Sequence, residues 1–249
     1  MKGFIILTLF FLACSLTPAL SPPQTGKEKS DCVILLHGLR RTRRSMKKIE
    51  KILSLQGYNV LNLDYPSTKY SIEFLADEIL SDAIEQCQKR FPPRIHFVTH
   101  SLGGIIVRYY LNHHQLSNLG RVVMLSPPNQ GSELADYLKR NFIYKKINGP
   151  AGQQLGTDKN SLPLNSGPVN FELGIIAGRR SLNLLSSMII PGPNDGSVSI
   201  ERTKVSGMKD FLVLPHSHTF IMKSKDVIDQ VIHFLKHGAF KHENPKQRL

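Results

Sequence analysis

Ile95-His96-Phe97-Val98-Thr99-His100 is a run of strand-forming residues that ends abruptly at Ser101-Leu102-Gly103-Gly104 and passes into the helical pattern Ile105–Leu111. A strand that turns this sharply into a helix around a serine is a nucleophile elbow, and few architectures contain one. The turn forces a strained backbone on the serine, so the positions two before and two after it must be small. Gly103 meets that need on the later side, with Gly104 behind it. The earlier side carries Thr99, where the common pattern G-x-S-x-G has glycine. The bare motif is therefore imperfect, and its surroundings have to carry the argument.

Those surroundings alternate strand and helix. Val33-Ile34-Leu35-Leu36 is an unbroken apolar run of the kind buried on both faces of a sheet, within a strand Cys32–Leu36. Ser45–Gln56 reads as an amphipathic helix ended by Gly57, Tyr58–Leu63 as a strand, and Ile72–Gln88 as a helix broken by Pro92-Pro93. Arg121–Leu125, Leu173–Gly178 and Phe211–Leu214 supply further strands, Glu133–Lys139 a short helix, and Lys225–Lys236 a closing helix. This order predicts an α/β fold with a mostly parallel central sheet and helices on both faces. Residues 141–169 are rich in Gly, Pro, Asn and Ser with little helical period, and are expected to form a cap or a wall of the substrate site.

Met1-Lys2-Gly3 followed by the apolar stretch Phe4–Ala13 reads as an export signal, too short to be a spanning helix. Thr17-Pro18-Ala19 suits ordinary cleavage, whereas Leu12-Ala13-Cys14 suits lipidation at Cys14; both exits stay open. Residues 1–21 are thus set aside as a signal segment, and 22–249 are read as one domain of the α/β type, a length one such core commonly reaches. The localisation expected is exported: periplasmic, secreted or lipid-anchored to a bacterial envelope. Of the remaining cysteines, Cys32 opens a strand and Cys87 lies near the end of a helix. Both fall at the same sheet edge, so a disulfide and two inert buried thiols are both compatible with the sequence.

The charge is strongly basic, with 32 Lys+Arg against 19 Asp+Glu and a net +13. Nucleic acid is not the expected partner, because no zinc pattern, basic zipper or basic strand with interleaved aromatics accompanies the charge. An anionic membrane surface suits an exported basic protein better, beside plain solubility charge. Arg40, Arg41, Arg43, Arg44, Lys47 and Lys48 crowd the start of the first helix, either as a solvated face or as positive charge at a site entrance.

A serine hydroxyl needs a base, and the base needs an acid to orient it. Downstream of Ser101 stand Asp195, in Pro193-Asn194-Asp195-Gly196 after the apolar run Met188–Ile190, and the pair His216 and His218, just past the last strand. Asn-Asp-Gly also forms turns unaided, so Asp195 alone would signify little. His100, beside the serine, is expected to point to the opposite side of the elbow as a packing or hydrogen-bonding residue. Oxyanion donors are expected from the Leu102 amide and from the loop His37-Gly38-Leu39, whose glycine lets backbone approach a substrate; Leu39 is the candidate donor. No cofactor and no metal is implied, since no His/Cys/Asp cluster has ligand spacing.

Taken together, Leu35–Leu39, Thr99–Gly104, Ser126–Ser132, Asn194–Val198 and Ser217-His218 resemble the α/β-hydrolase superfamily, and within it small bacterial lipases and lipase-like serine esterases. The resemblance covers nearly everything after the signal segment. It implies an α/β-hydrolase fold with a small cap, a Ser101–His218–Asp195 triad, and hydrolysis of carboxylic, lipid-like esters. His218 is preferred over His216 on that analogy. The resemblance also implies that Pro127–Ser132 lines the acyl site, so His37, Gly38, Pro127 and Asn129 are the candidate substrate-binding residues. An acyltransferase or amidase with the same triad, or a silent binding protein at a membrane surface, are the rival readings. Oligomeric state is not legible.

Overall fold

A computed structural model describes residues 30–159, 161–182 and 184–242. The proposed signal segment and Cys14 lie outside the described residues. Six strands form one sheet: β1 (Cys32–Leu36), β2 (Asn59–Leu63), β3 (Ile95–His100), β4 (Leu119–Leu125), β5 (Leu173–Gly178) and β6 (Asp210–Leu214). Their order is β2-β1-β3-β4-β5-β6, and every neighbouring pair is parallel. This is the parallel sheet expected from the strand–helix alternation, in the α/β-hydrolase arrangement that the motif resemblance implies.

Successive side chains of a strand point to opposite faces, and here both faces are apolar. Ile34, Leu36, Phe97, Val122, Met124 and Ile175 enter one core, under α2 (Ile72–Phe74), α3 (Ser81–Gln88) and α4 (Leu102–His113). Val33, Leu35, Val98, Val123, Leu125 and Ile176 enter the other, under α1 (Lys47–Leu55) and the last helix, Lys225–His237. Phe97 and Phe234 anchor the two cores and are fully buried. Between α2 and α3 the residues Leu75–Leu80 form a π-helical segment, so the expected helix Ile72–Gln88 is continuous but locally widened.

Two expectations are corrected. The predicted first helix starts later, because Arg43–Met46 is a 3-10 turn leading into α1. The apolar run Met188–Ile190 before Asp195 lies at the end of a helix, Leu184–Ile189. The region 141–169 is not irregular: after α5 (Glu133–Leu138) it contains α6 (Phe142–Gln153) and α7 (Leu162–Asn165). Asn141 starts α6 by accepting the amides of Ile143 and Tyr144. Gly149-Pro150 kinks it, with Gly149 at φ 62°, and this break hides the helical period in the sequence. A Cβ at Gly149 would lie 1.7 Å from the Thr68 carbonyl oxygen, so α6 is pressed directly onto the loop before α2. The Ala151 amide donates to Tyr70 there, and the Gln154 side chain binds both the Ile72 amide and Glu73.

Cys32 and Cys87 are joined by a disulfide, with 6.2 Å between Cα atoms. It ties the start of β1 to α3, at the sheet edge opposite Ser101. Among the described residues no helix is long and apolar enough to cross a membrane.

Candidate active site

Parallel strands deliver their C-terminal ends to one edge, and the candidate residues gather there. Ser101 follows β3 with φ 52° and ψ −120°, a conformation costly for any residue with a side chain. It is held because its amide donates to Leu125 and its carbonyl accepts from Gly104. A Cβ on Gly103 would come within 2.8 Å of Leu36, so the elbow packs directly on the end of β1. Gly104 explains the tolerated Thr99: a Cβ there would lie 3.2 Å from Thr99 Oγ1 and 3.1 Å from both Met124 and Pro127. The bulk added at one small position is accommodated by a second glycine.

Ser101 Oγ lies 3.0 Å from His218 Nε2, and His218 Nδ1 lies 2.8 Å from Asp195 Oδ2. With Nδ1–H donating to the carboxylate, Nε2 is left to accept the serine proton. The other Asp195 oxygen accepts the amides of Ser197 at 3.0 Å and Val198 at 2.9 Å. Burial pushes the Asp195 carboxyl up, but His218, the Val198 amide and the Ser126 hydroxyl outweigh it and hold the group below its ordinary value. Asp195 therefore stays ionised although it is 2% exposed. His216 is directed elsewhere: its Nε2 meets Asp226 at 2.7 Å and its Nδ1 meets Ser224.

Neither the Leu39 nor the Leu102 amide donates to any group among the described residues. Leu102 opens α4, where amides lack helical partners. Leu39 follows Gly38, where a Cβ would come within 2.7 Å of the His100 ring and 3.2 Å of Ser101 Cβ, so this loop lies against the serine. The loop is braced from behind. His37 is fully buried and stacks on Tyr65 at 4.0 Å, and the Tyr65 hydroxyl donates to the His37 carbonyl.

A cavity of about 380 Å³ opens over Ser101 and His218. Leu39, Pro128, Ser132, Leu138, Tyr144 and Leu155 belong to its wall, so α5 and the 141–169 region do border the site. His37, Gly38, Pro127 and Asn129, the expected substrate contacts, are not among the residues that line it. Asn129 is pinned between the Arg108 guanidinium, which donates to its carbonyl at 2.8 Å, and the Thr203 carbonyl, which accepts its amide. Pro128 and Ser132, from the same segment, reach the cavity instead.

Two neighbours were not anticipated in these roles. His100 does not point away from the site: its ring lies 4.8 Å from that of His218, and its Nε2 donates to the His218 carbonyl at 2.9 Å. Burial and the neighbouring His218 hold the His100 imidazole well below its ordinary value, so it is neutral. Ser126 closes β4 with φ 46° immediately before a proline, an unfavourable placement. Its hydroxyl accepts the Gly178 amide at 3.2 Å and reaches Asp195. The available signal was position alone, since Ser126 follows a strand at the same edge as Ser101.

Residues 26–143 match the family described as "Putative serine esterase (DUF676)". Lysosomal thioesterase PPT2 of Rattus norvegicus is 25% identical over 237 residues, covering 84% of this chain and 77% of that protein. The mature lipase BlEst2 of Bacillus licheniformis superposes with a TM-score of 0.67 at 19% identity, covering 86% of this chain and 96% of that one. Phospholipase PlaB of Legionella pneumophila gives 0.62 at 19% identity, over 82% of this chain and 57% of that one. Sheet order, elbow and these likenesses agree on the fold: the chain has the α/β-hydrolase fold and is similar to lipases and serine esterases.

Proposed function

We propose that this protein hydrolyses carboxylic esters of lipid-like acids through an acyl-enzyme on Ser101. His218 takes the serine proton as Oγ bonds to the acyl carbon, and Asp195 orients and stabilises the resulting imidazolium. The carbonyl oxygen, negative in the tetrahedral intermediate, receives hydrogen bonds from the Leu39 and Leu102 amides. The intermediate collapses as the bond to the leaving group breaks, and that group takes the proton from His218. Water, activated by the same imidazole, then releases the acid and restores Ser101. The observation that carries the reading is the unbroken chain Ser101 Oγ–His218 Nε2 at 3.0 Å and His218 Nδ1–Asp195 at 2.8 Å, with the Leu39 and Leu102 amides left unused.

The same chemistry cleaves thioesters, and the similarity to a lysosomal thioesterase puts them within the expected range. Residues 22–249 form the catalytic unit on this reading, with 141–169 as its cap, and residues 1–21 direct export. The Cys32–Cys87 bond supports export, because disulfides persist in oxidising compartments.

The test is turnover of p-nitrophenyl esters of short to long acids, and of matched thioesters, by purified protein. Ser101→Ala and His218→Ala should each lower kcat by about 10⁴-fold or more, with Asp195→Asn close behind. His216→Ala should retain activity. Turnover that survives Ser101→Ala would remove the proposed nucleophile.

A further inference from the structure

The lining of the cavity above Ser101 is apolar in part and cationic in part. Leu134, Leu138 and Leu155, on and after α5, supply apolar wall. Arg40 and Arg41 line it directly after Leu39, and no aspartate or glutamate is among the lining residues. Neither arginine is in ion-pair contact with a carboxylate among the described residues, and both side chains are exposed to the cavity mouth. The Arg40 backbone is held at φ 58°, unusual for a residue with a side chain, while its amide donates to the buried Ser67 hydroxyl at 3.0 Å. Such strain persists where the surroundings enforce it, and it concentrates at functional positions. The phenol of Tyr144, which lines the same cavity, is pushed up by burial and drawn down by the Arg40 charge.

The side on which the cations stand follows from the proton path. His218 Nε2 gives its proton to the leaving group, so whatever that group carries extends past His218. Arg41 is on that side, where its guanidinium donates to the hydroxyl of Thr219, the residue after the base, at 3.4 Å. Of the six cations crowding residues 40–48, only Arg40 and Arg41 border the cavity.

We propose that Arg40 and Arg41 form an anion subsite for the leaving group, and that the preferred substrates are acyl esters or thioesters whose alcohol or thiol carries a phosphate. The inference rests on the acyl-enzyme reading above. The planar guanidinium suits phosphate oxygens by bidentate donation, and two adjacent forks hold one such group against solvent. The phosphate can belong to a lipid headgroup or to a soluble phosphorylated carrier, and both offer the same atoms to the arginines.

A matched pair isolates the phosphate: 1-oleoyl-glycerol 3-phosphate against 1-oleoyl-glycerol, with oleoyl-coenzyme A as the soluble arm. The expected result is a kcat/KM ratio of phosphorylated to neutral ester above 10, falling about 10-fold or more in Arg41→Gln and further in Arg40→Gln/Arg41→Gln. The charge-matched control Arg90→Gln, on an exposed site beyond α3, should leave the ratio alone. A high rate on the lysophospholipid but not on the coenzyme A ester assigns the phosphate to a lipid, and the converse to a soluble carrier. A ratio near 1, or one unmoved in the double variant, overturns the subsite while leaving the hydrolase reading intact. If no ester turns over, the hydrolase reading fails, and binding of octyl phosphate decides the subsite alone by calorimetry. Affinity no greater than for octyl glucoside, or unchanged by Arg40→Gln/Arg41→Gln, overturns it.

Discussion

Reducing the Cys32–Cys87 bond tests what ties the start of β1 to α3. The cysteines are 55 residues apart in sequence, and both are about 2% exposed. Freeing a loop of that length returns about 14 cal/mol/K of chain entropy to the unfolded state, or about 4 kcal/mol at 25 °C. The native state should change little, since both side chains are buried in the core between β1 and α3 and two thiols fit where the bridge was. For a domain of this size the loss corresponds to a fall in Tm of about 8–16 °C. Urea unfolding followed by far-UV circular dichroism, with and without a phosphine reductant, measures it without creating a cavity. Cys32→Ala/Cys87→Ala provides a second route and should lose somewhat more, through the atoms removed. The m-value should rise on reduction, because an uncrosslinked chain exposes more surface. Below the melting range ester turnover should be the same in both forms, since the bond lies at the edge opposite Ser101. A stability change under about 1 kcal/mol would refute the entropic account. So would lost turnover in protein with native dichroism.

Three further outcomes follow from the site. Ser126→Ala should cost about 1–3 kcal/mol in urea unfolding, because it strands the buried Gly178 amide, and it should lower kcat far less than Asp195→Asn does. Thr99 Oγ1 is buried without a partner, so Thr99→Val should be neutral or stabilising by up to about 1 kcal/mol, whereas Gly104→Ala should cost about 1–3 kcal/mol by overpacking against Met124 and Pro127. His37, His96 and His100 are each held below the ordinary histidine value, with burial the largest cause. The unfolded chain therefore binds protons first as pH falls through about 6.5, and stability must decline below that pH by up to about 1.4 kcal/mol per unit for each histidine. His100→Gln, which can still donate to the His218 carbonyl, should remove one histidine's share of that slope. An unchanged slope in urea titrations from pH 7 to 5 would exclude His100 as a contributor.

What could be read from the sequence was chemistry carried by local pattern. Ser101, Asp195 and His218 stand in turns just after apolar runs, and a parallel sheet brings such turns to one edge whatever the details. Spacing could not separate His216 from His218, because two residues apart on a loop they face different partners, Asp226 and Asp195, and only the backbone path decides which. His37 and Asn129 have the residue types of a binding site yet brace it from behind, a matter of side-chain direction that one-dimensional pattern does not contain. Residues 141–169 lacked a helical period because the Gly149-Pro150 kink divides α6 in two. The part played by Ser126 is silent in the sequence for a different reason: it lies in a strained φ and one hydroxyl, and neither leaves a mark on composition.

The separation of Ser101 from His218 has a consequence for when the protein can act. The two residues are 117 positions apart, and His218 follows β6, the outermost strand of the sheet on its side. A chain emerging from the ribosome, or held extended for passage through a membrane, can fold its first three strands around the elbow and still have no base for the serine. On the proposed mechanism, activity against lipid switches on only when β6 docks beside β5, late in folding. A cell making this protein for export would thus be shielded from its chemistry until delivery is complete, without a separate inhibitor.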